Sequence, residues 1–257
     1  MEEEKLHNPT VRVLDILETA YSHEKGISFT DLSRQTGISK GTLHPIVATL
    51  VAKGYLQCQH SLFTLGKSCF RLGYAYTRTL SCLDIVKAHM EEIVTACNEI
   101  CQLGILEGMN VLYIAKMEPQ QAIRVSSSVG ATLAAYATSL GKSLLSCYTD
   151  EEVRRICPPV LKQYTERTVR TVDELLAQLR TIRKQGYALE NGEVNKDIEC
   201  ISIPVQVANQ TMAISVSLPI YRSTPEKQQE ILRILKRHKG EIAEQTAGLQ
   251  QDLSFIY

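Results

Sequence analysis

Ile27-Ser-Phe-Thr-Asp-Leu-Ser-Arg-Gln-Thr-Gly37-Ile-Ser-Lys-Gly-Thr-Leu-His-Pro-Ile-Val-Ala-Thr-Leu50-Val-Ala-Lys53 decides how the amino-terminal part of this chain folds. A short helix is expected over about Thr30 to Thr36. Gly37 stops it, and Ser39, after a turn, is placed to cap a second helix. Gly just past one helix and Ser just before the next is the punctuation of a helix-turn-helix. Leu43, Ile46, Val47 and Leu50 recur at helical spacing and give the second helix one apolar stripe. Its N-terminal end carries Ser39, Lys40, Thr42 and His44, short donors and a cation suited to phosphates and base edges. Arg34 and Lys53 complete the candidate DNA-contacting set. In such a unit the second helix lies in the major groove with its first residues toward the bases. Pro45 lies past the turn where proline is harmless, so a kink or a first turn tightened to 3₁₀ geometry is expected.

Outward from that stretch, about Pro9 to Ser22 reads as an amphipathic helix with Val13, Ile16, Leu17 and Ala20 on one side. Tyr55 to Gly66 reads as two short strands about a His60-Ser61 turn, a β-hairpin wing with no Lys or Arg before Lys67. Three helices and a wing make a winged helix-turn-helix over residues 1–66. Residues 67–80 read as a connector helix rich in aromatics (Phe70, Tyr74 and Tyr76), a composition favoured at dimer interfaces. A further helix is expected over Leu83 to Cys97.

The chain has 257 residues, enough for one large domain or two smaller ones, and an apolar fraction of 44%. It has no run of eighteen apolar residues, so no membrane span is expected. The start, Met1-Glu-Glu-Glu-Lys, is unlike a secretory signal, and a cytoplasmic location follows as the expectation. Asn209-Gln-Thr211 would matter as a glycosylation triplet only after export. Net charge is zero, but unevenly spread. Between Lys25 and Arg78 seven cations face one anion, Asp31, for a net of +6, so the remainder carries −6. A basic segment beside an acidic remainder is the footprint of a nucleic-acid module joined to another domain.

Eight cysteines stand without a Cys-x-x-Cys pair, and the six histidines are scattered along the chain. No metal and no cofactor are expected, and the thiols default to reduced and buried. An enzyme is weighed and set aside. Ser139-Leu-Gly-Lys142 spells Ser-x-x-Lys without its companion motifs. Gly141-Lys-Ser143 and Gly66-Lys-Ser68 lack the earlier glycine of a phosphate loop.

The remaining residues, 81–257, read as a second domain of mixed structure. Ile100 to Glu107 and Val111 to Glu118 alternate as strands around Gly108-Met-Asn110, and Ala122 to Ser127 reads as a third strand. Thr149-Asp-Glu-Glu152 and Thr171-Val-Asp-Glu174 are capping boxes that start helices running to about Cys157 and Gln185. Cys200 to Val207 and Met212 to Leu218 form a second hairpin around Asn209-Gln210. Thr224-Pro225 starts a final helix reaching about Gln250. Consecutive hairpins imply an antiparallel sheet flanked by helices, and hence an α+β fold.

Four segments together resemble the IclR family of bacterial transcription regulators over nearly the whole chain. They are Ile38 to His44 with Leu50 to Leu56; Val129 to Leu145; Gly186 to Glu190 with Cys200 to Val205; and Ala213 to Pro219. The resemblance implies a winged helix-turn-helix, a connector, and a GAF-like effector domain. It further implies a homodimer or tetramer on a double-stranded DNA operator, commonly as a repressor of a catabolic operon released by a small organic acid. By position, the effector would be lined by Ser139, Leu140, Glu190, Cys200, Ser215 and Ser217. Departures fall at Pro45, where the family often has Arg, at Gly41, where Ser is frequent, and at Glu190, where Asp is common. The residue chemistry agrees in part. Ser215 and Ser217 are two apart on a strand and share a face, and Ser139 is placed to open a helix whose backbone donors favour a carboxylate. The alternative on the same scaffold is a redox-responsive regulator or activator that senses through its thiols.

Overall fold

The structure is a computed structural model that describes residues 6–79, 82–119, 128–247 and 249. The expected strand over Ala122 to Ser127 lies outside these. The chain divides into two compact units, Met1–Leu80 and Ser81–Tyr257.

In the first unit, helix α1 (Asn8–Tyr21) precedes a two-residue strand β1 (Ile27–Ser28), then α2 (Phe29–Thr36) and α3 (Lys40–Ala52). Strands β2 (Leu56–Gln59) and β3 (Leu62–Leu65) form the wing, and α4 (Lys67–Thr79) follows. β1 pairs with β3 and extends the wing to three strands, an addition too short to read in sequence. His60 and Ser61 both take positive φ, as a type I′ hairpin turn requires. Ile16, Ala20, Leu32, Ile38, Leu43, Val47, Leu50 and Leu56 pack as one core, so the apolar stripe of α3 faces inward.

Gly37 ends α2 at φ +68°, a left-handed conformation that glycine adopts without a Cβ clash. Ser39 stands at the N-cap of α3, but its hydroxyl does not cap the backbone. It pairs instead with the Thr42 hydroxyl at 3.1 Å. α3 runs unbroken through Pro45. At its start Thr42 N–H donates to the Ser39 carbonyl at 3.0 Å beside the ordinary helical bond from Leu43 N–H at 2.9 Å, as Thr10 and Val11 N–H both do to His7 at the start of α1. The bond from Thr42 is of 3₁₀ type and tightens the first turn.

The second unit is built on a six-stranded sheet, ordered β6-β5-β4-β9-β8-β7 and antiparallel throughout. α5 (Leu83–Cys97) leads into the hairpin of β4 (Ile100–Glu107) and β5 (Asn110–Met117), and β6 (Thr132–Ala134) lies on the edge. A 3₁₀ turn over Ala135–Ala137 delivers the chain to α6 (Ser139–Leu145). Next come α7 (Asp150–Ile156), α8 (Val172–Gln185) and β7 (Ala188–Asn191), then the hairpin of β8 (Ile198–Val207) and β9 (Gln210–Pro219). α9 (Pro225–Thr246) is the last element among the described residues, ending before the expected Gln250 where Ala247 turns to extended backbone.

Of the two capping boxes only Thr149 closes fully, with the Glu152 carboxylate accepting from the Thr149 N–H. Thr171 accepts from Glu174 N–H, but the Glu174 carboxylate reaches one residue further back, to Arg170 N–H. Half of that box is therefore replaced by a neighbouring donor.

The two sheet faces differ in chemistry. α6 packs against one of them, and Ser143 Oγ meets Ser202 Oγ at 2.6 Å there. The alternating residues Ile201, Ile203, Ile214 and Val216 are fully buried on the other face, against which α5 and α9 pack. These two helices bring His89 and His238 together, Nδ1 to Nδ1 at 2.9 Å. A separation of 149 residues hid that pairing, so the scattered histidines of the sequence are not all apart in space.

Candidate functional site

Ser39, Lys40 and His44 are exposed and Thr42 is half-exposed, all in or next to the first turn and a half of α3. Lys40 and His44, four apart, share a face. His44 is braced edge-on against Phe29 of α2, with ring centroids 6.3 Å apart. Arg34 is exposed near the end of α2, where its guanidinium donates to Asp31 at 2.5 Å, so part of its charge is already answered. Lys53 is exposed at the opposite end of α3 from Ser39. It stands roughly 20 Å away along a thirteen-residue helix. The six predicted residues thus divide into a compact group of four at the helix start and two flanking cations.

In the second unit all six residues assigned by resemblance line one pocket, which encloses about 460 Å³ of empty space including its mouth. Cross-strand register creates it. Glu190 stands opposite Cys200, Cys200 opposite Ser217, and Ser215 opposite Gln102, so side chains from β7, β8, β9 and β4 share one face. α6 supplies Ser139 and Leu140 from above. Thr138 caps that helix by accepting from Gly141 N–H at 3.1 Å. By position, the backbone N–H groups of Ser139 and Leu140 have no acceptor within the helix. A Cβ on Gly141 would lie 2.2 Å from the Ala135 backbone, so glycine is there for close packing and not for phosphate.

Inside the pocket runs a directed chain of hydrogen bonds. Ser217 Oγ donates to Gln102 Oε1 at 3.1 Å, which leaves Ser217 to accept from the Cys200 thiol at 3.0 Å. Glu190 is buried and accepts from Val194 N–H at 3.3 Å and from Glu193 N–H. Burial pushes its carboxyl up to about 7, against the pull of those donors and with the help of the nearby Glu193. Burial likewise raises the Tyr113 phenol. Gln102, Tyr113, Leu133, Thr138, Val194, Asn195 and Ile198 complete the lining and were not read from the sequence. For Gln102 the available signal was its register against Ser215, which appears only once β4 is paired with β9. Among the described residues no lysine or arginine lines the pocket.

Just outside, Lys142 is completely buried and its ammonium donates to Glu193, itself almost fully buried. Ser139 and Lys142 therefore do not form an acyl-transfer pair, because the lysine is committed to the carboxylate. Thr168 Oγ1 donates to the Glu193 carbonyl and Thr165 Oγ1 to the Gly192 carbonyl, each at 2.6 Å. These bonds hold the loop that presents Val194 and Asn195. Burial also pushes up the thiols of Cys69, Cys97, Cys101, Cys147, Cys157 and Cys200, which lowers the thiolate fraction that oxidation needs.

The chain matches two family descriptions in the order of its two units: the IclR helix-turn-helix domain over residues 9–59 and the bacterial transcriptional regulator IclR C-terminal domain over residues 74–244. It is 30% identical over 243 residues to the HTH-type transcriptional regulator KdgR of Escherichia coli K12, covering 91% of each protein. The IclR structure from Thermotoga maritima superposes with a TM-score of 0.74 at 25% identity, over 93% of this chain and 98% of that one. An IclR homologue from Microbacterium hydrocarbonoxydans, determined in complex with 4-hydroxybenzoate, shares the fold with a TM-score of 0.77 at 21% identity, over 91% and 99%. Among the described residues no helix is long and apolar enough to cross a membrane. With a helix-turn-helix followed by a sheet domain, and both family matches in that order, the chain belongs to the IclR family of bacterial transcriptional regulators.

Proposed function

We propose that the protein is a repressor of a catabolic operon, whose operator affinity is set by a small organic acid held in the pocket between α6 and the sheet. The observation that carries this reading is the pocket itself: a cleft between α6 and the sheet in which a few polar groups converge among apolar ones. A hydroxy-, keto- or aromatic acid suits it. Ser139, Ser215, Ser217 and the α6 backbone donors offer hydrogen bonds to oxygen, while Leu133, Leu140, Val194 and Ile198 pack on carbon. The 4-hydroxybenzoate complex of the Microbacterium homologue supports a small organic acid as the class of ligand. Six raised thiols weigh against the redox alternative at those positions, since protonated sulfur reacts slowly, while the exposed Cys58 on β2 keeps that alternative open.

In this reading Ser39, Lys40, Thr42 and His44 meet the operator, with Arg34 and Lys53 on flanking phosphates. The protein acts as a homodimer or tetramer, so that two α3 helices reach successive turns of the groove. Exposed Phe70, Leu72, Tyr74 and Tyr76 on α4, with the Phe70 and Tyr74 rings stacked at 6.0 Å, suit a contact between copies.

The test pairs two variants read on the same promoter fragment. Lys40→Ala should weaken operator binding, reduce the log-log salt slope by about 0.9, and leave acid binding intact. Ser217→Ala should leave operator binding without acid unchanged and shift the acid dose response to higher concentration. Unchanged operator affinity in the first, or an unaltered dose response in the second, would remove the corresponding site.

A further inference from the structure

We propose that His89 and Glu92 of α5, with His238 and Glu241 of α9, form a binding site for a divalent first-row transition metal ion of the zinc class, on the sheet face away from the acid pocket. Each helix contributes the same spacing, His-x-x-Glu, which sets both side chains on one face a turn apart. Both imidazoles are buried, Glu241 is half-buried and Glu92 is exposed. One ligand atom from each of the four lies within 4.8 Å of the others.

Three of the donors already sit near coordination spacing. The two Nδ1 atoms are 2.9 Å apart, and Glu241 Oε2 is 3.3 Å from His238 Nδ1 and 3.6 Å from His89 Nδ1. In a tetrahedral zinc site with bonds of about 2.0–2.1 Å, neighbouring ligand atoms stand roughly 3.3 Å apart. Opening the histidine pair by a few tenths of an ångström is enough. The rings meet edge to face, at 68°, so their nitrogen lone pairs converge without stacking. Glu92, free to swing in solvent, supplies the fourth ligand. Two imidazoles and two carboxylates select ions such as Zn²⁺, Co²⁺ or Ni²⁺ over Mg²⁺ and Ca²⁺, which prefer oxygen alone.

One contact competes. Arg237 donates to His238 Nε2 at 2.8 Å, which requires that nitrogen to be unprotonated and leaves the proton on Nδ1. A metal on Nδ1 moves the proton to Nε2 and turns the guanidinium away, toward Glu241 Oε1, 3.7 Å from Arg237 Nε. The ion would pin the helix that opens the effector domain to the helix that closes it.

The test titrates the chelator-stripped full chain with Co²⁺, followed by its visible absorption, and then displaces the Co²⁺ with Zn²⁺. The expected result is one Co²⁺ per chain, with a tetrahedral spectrum free of thiolate-to-metal charge transfer. Glu241→Gln and His89→Gln should each weaken affinity at least tenfold or so, since even groups behind the ligands are worth about that much. Arg237→Gln should tighten it. Melting in chelator checks that the variants are folded, and Glu241→Gln, altered on a half-exposed side chain, keeps the test open if the histidine variant is not. No uptake at micromolar Co²⁺ would overturn the proposal. So would equal uptake by wild type and Glu241→Gln, or a spectrum dominated by thiolate bands, which would put the ion on cysteines.

Discussion

Affinity of the effector pocket for a carboxylate should be level below about pH 7 and fall about tenfold per pH unit above it. The cause is Glu190. Its carboxyl is raised to about 7 by burial, and among the described residues the pocket lining contains no cation to hold an anionic ligand. Protonated, Glu190 can donate to the incoming carboxylate; ionised, it repels it at close range in a poorly solvated cavity. Binding an anion therefore takes up one proton above that pKa. Glu190→Gln keeps an oxygen for the Glu193 and Val194 N–H groups and cannot ionise, so its binding should be independent of pH and as tight as wild type in acid.

The same group makes a stability prediction of definite sign. A carboxylate whose folded pKa lies above the unfolded value of 4.5 opposes folding when ionised. That penalty is absent below 4.5, grows as pH rises toward 7, and is complete above it. Glu190→Gln should match wild type near pH 4 and exceed it near pH 8, by up to about 3 kcal/mol. Calorimetry of acid binding and denaturant unfolding across this range check both. A flat wild-type binding profile would contradict the assignment.

Glu193→Ala should destabilise the effector domain by about 3–5 kcal/mol near neutral pH. Lys142 is fully buried, and burial pulls its pKa down while Glu193 restores it. Burial in turn raises the Glu193 carboxyl, with Lys142 opposing. Neither charge is comfortable alone, and removing the carboxylate strands an ammonium in the core. The lysine can escape only by losing its proton, so the deficit should shrink as pH rises toward 10.5, its ordinary value. Replacing both partners, as Lys142→Met with Glu193→Leu, should recover most of the loss, because among the described residues Glu193 Oε2 has no hydrogen-bond partner to lose. Urea unfolding of the effector-domain transition is the measurement. A single-variant loss below about 1 kcal/mol would mean that water already reaches the pair.

What was legible in the sequence follows the range of the interactions involved. Gly37, the Leu43-Val47-Leu50 stripe and the His60-Ser61 turn are local signals, and each element they mark is present. The two long hairpins were equally readable, because alternation and a short turn sit within about twenty residues. Local competition defeated finer points. Ser39 chose the Thr42 hydroxyl over the backbone, and Glu174 chose Arg170 over Thr171, each among donors a residue or so apart. β1 and β6, of two and three residues, carry too little pattern to announce themselves and exist because a neighbouring strand offers an edge. The pocket residues on α6, β7, β8 and β9 came from family resemblance, while Gln102 and Tyr113 depend on strand pairing that no local pattern displays. The His89–His238 pair is the extreme case, created only by the packing of the first and last helices of the second unit.

The central claim is that acid in the pocket changes the grip on DNA, and one titration tests it most directly. Fluorescence anisotropy of a labelled fragment from upstream of the protein's own gene, at fixed salt, would be read with and without an acid that raises the protein's melting temperature. The account predicts that operator affinity falls about 5- to 150-fold when the pocket is filled. An acid that stabilises the protein yet leaves that affinity unchanged would contradict it.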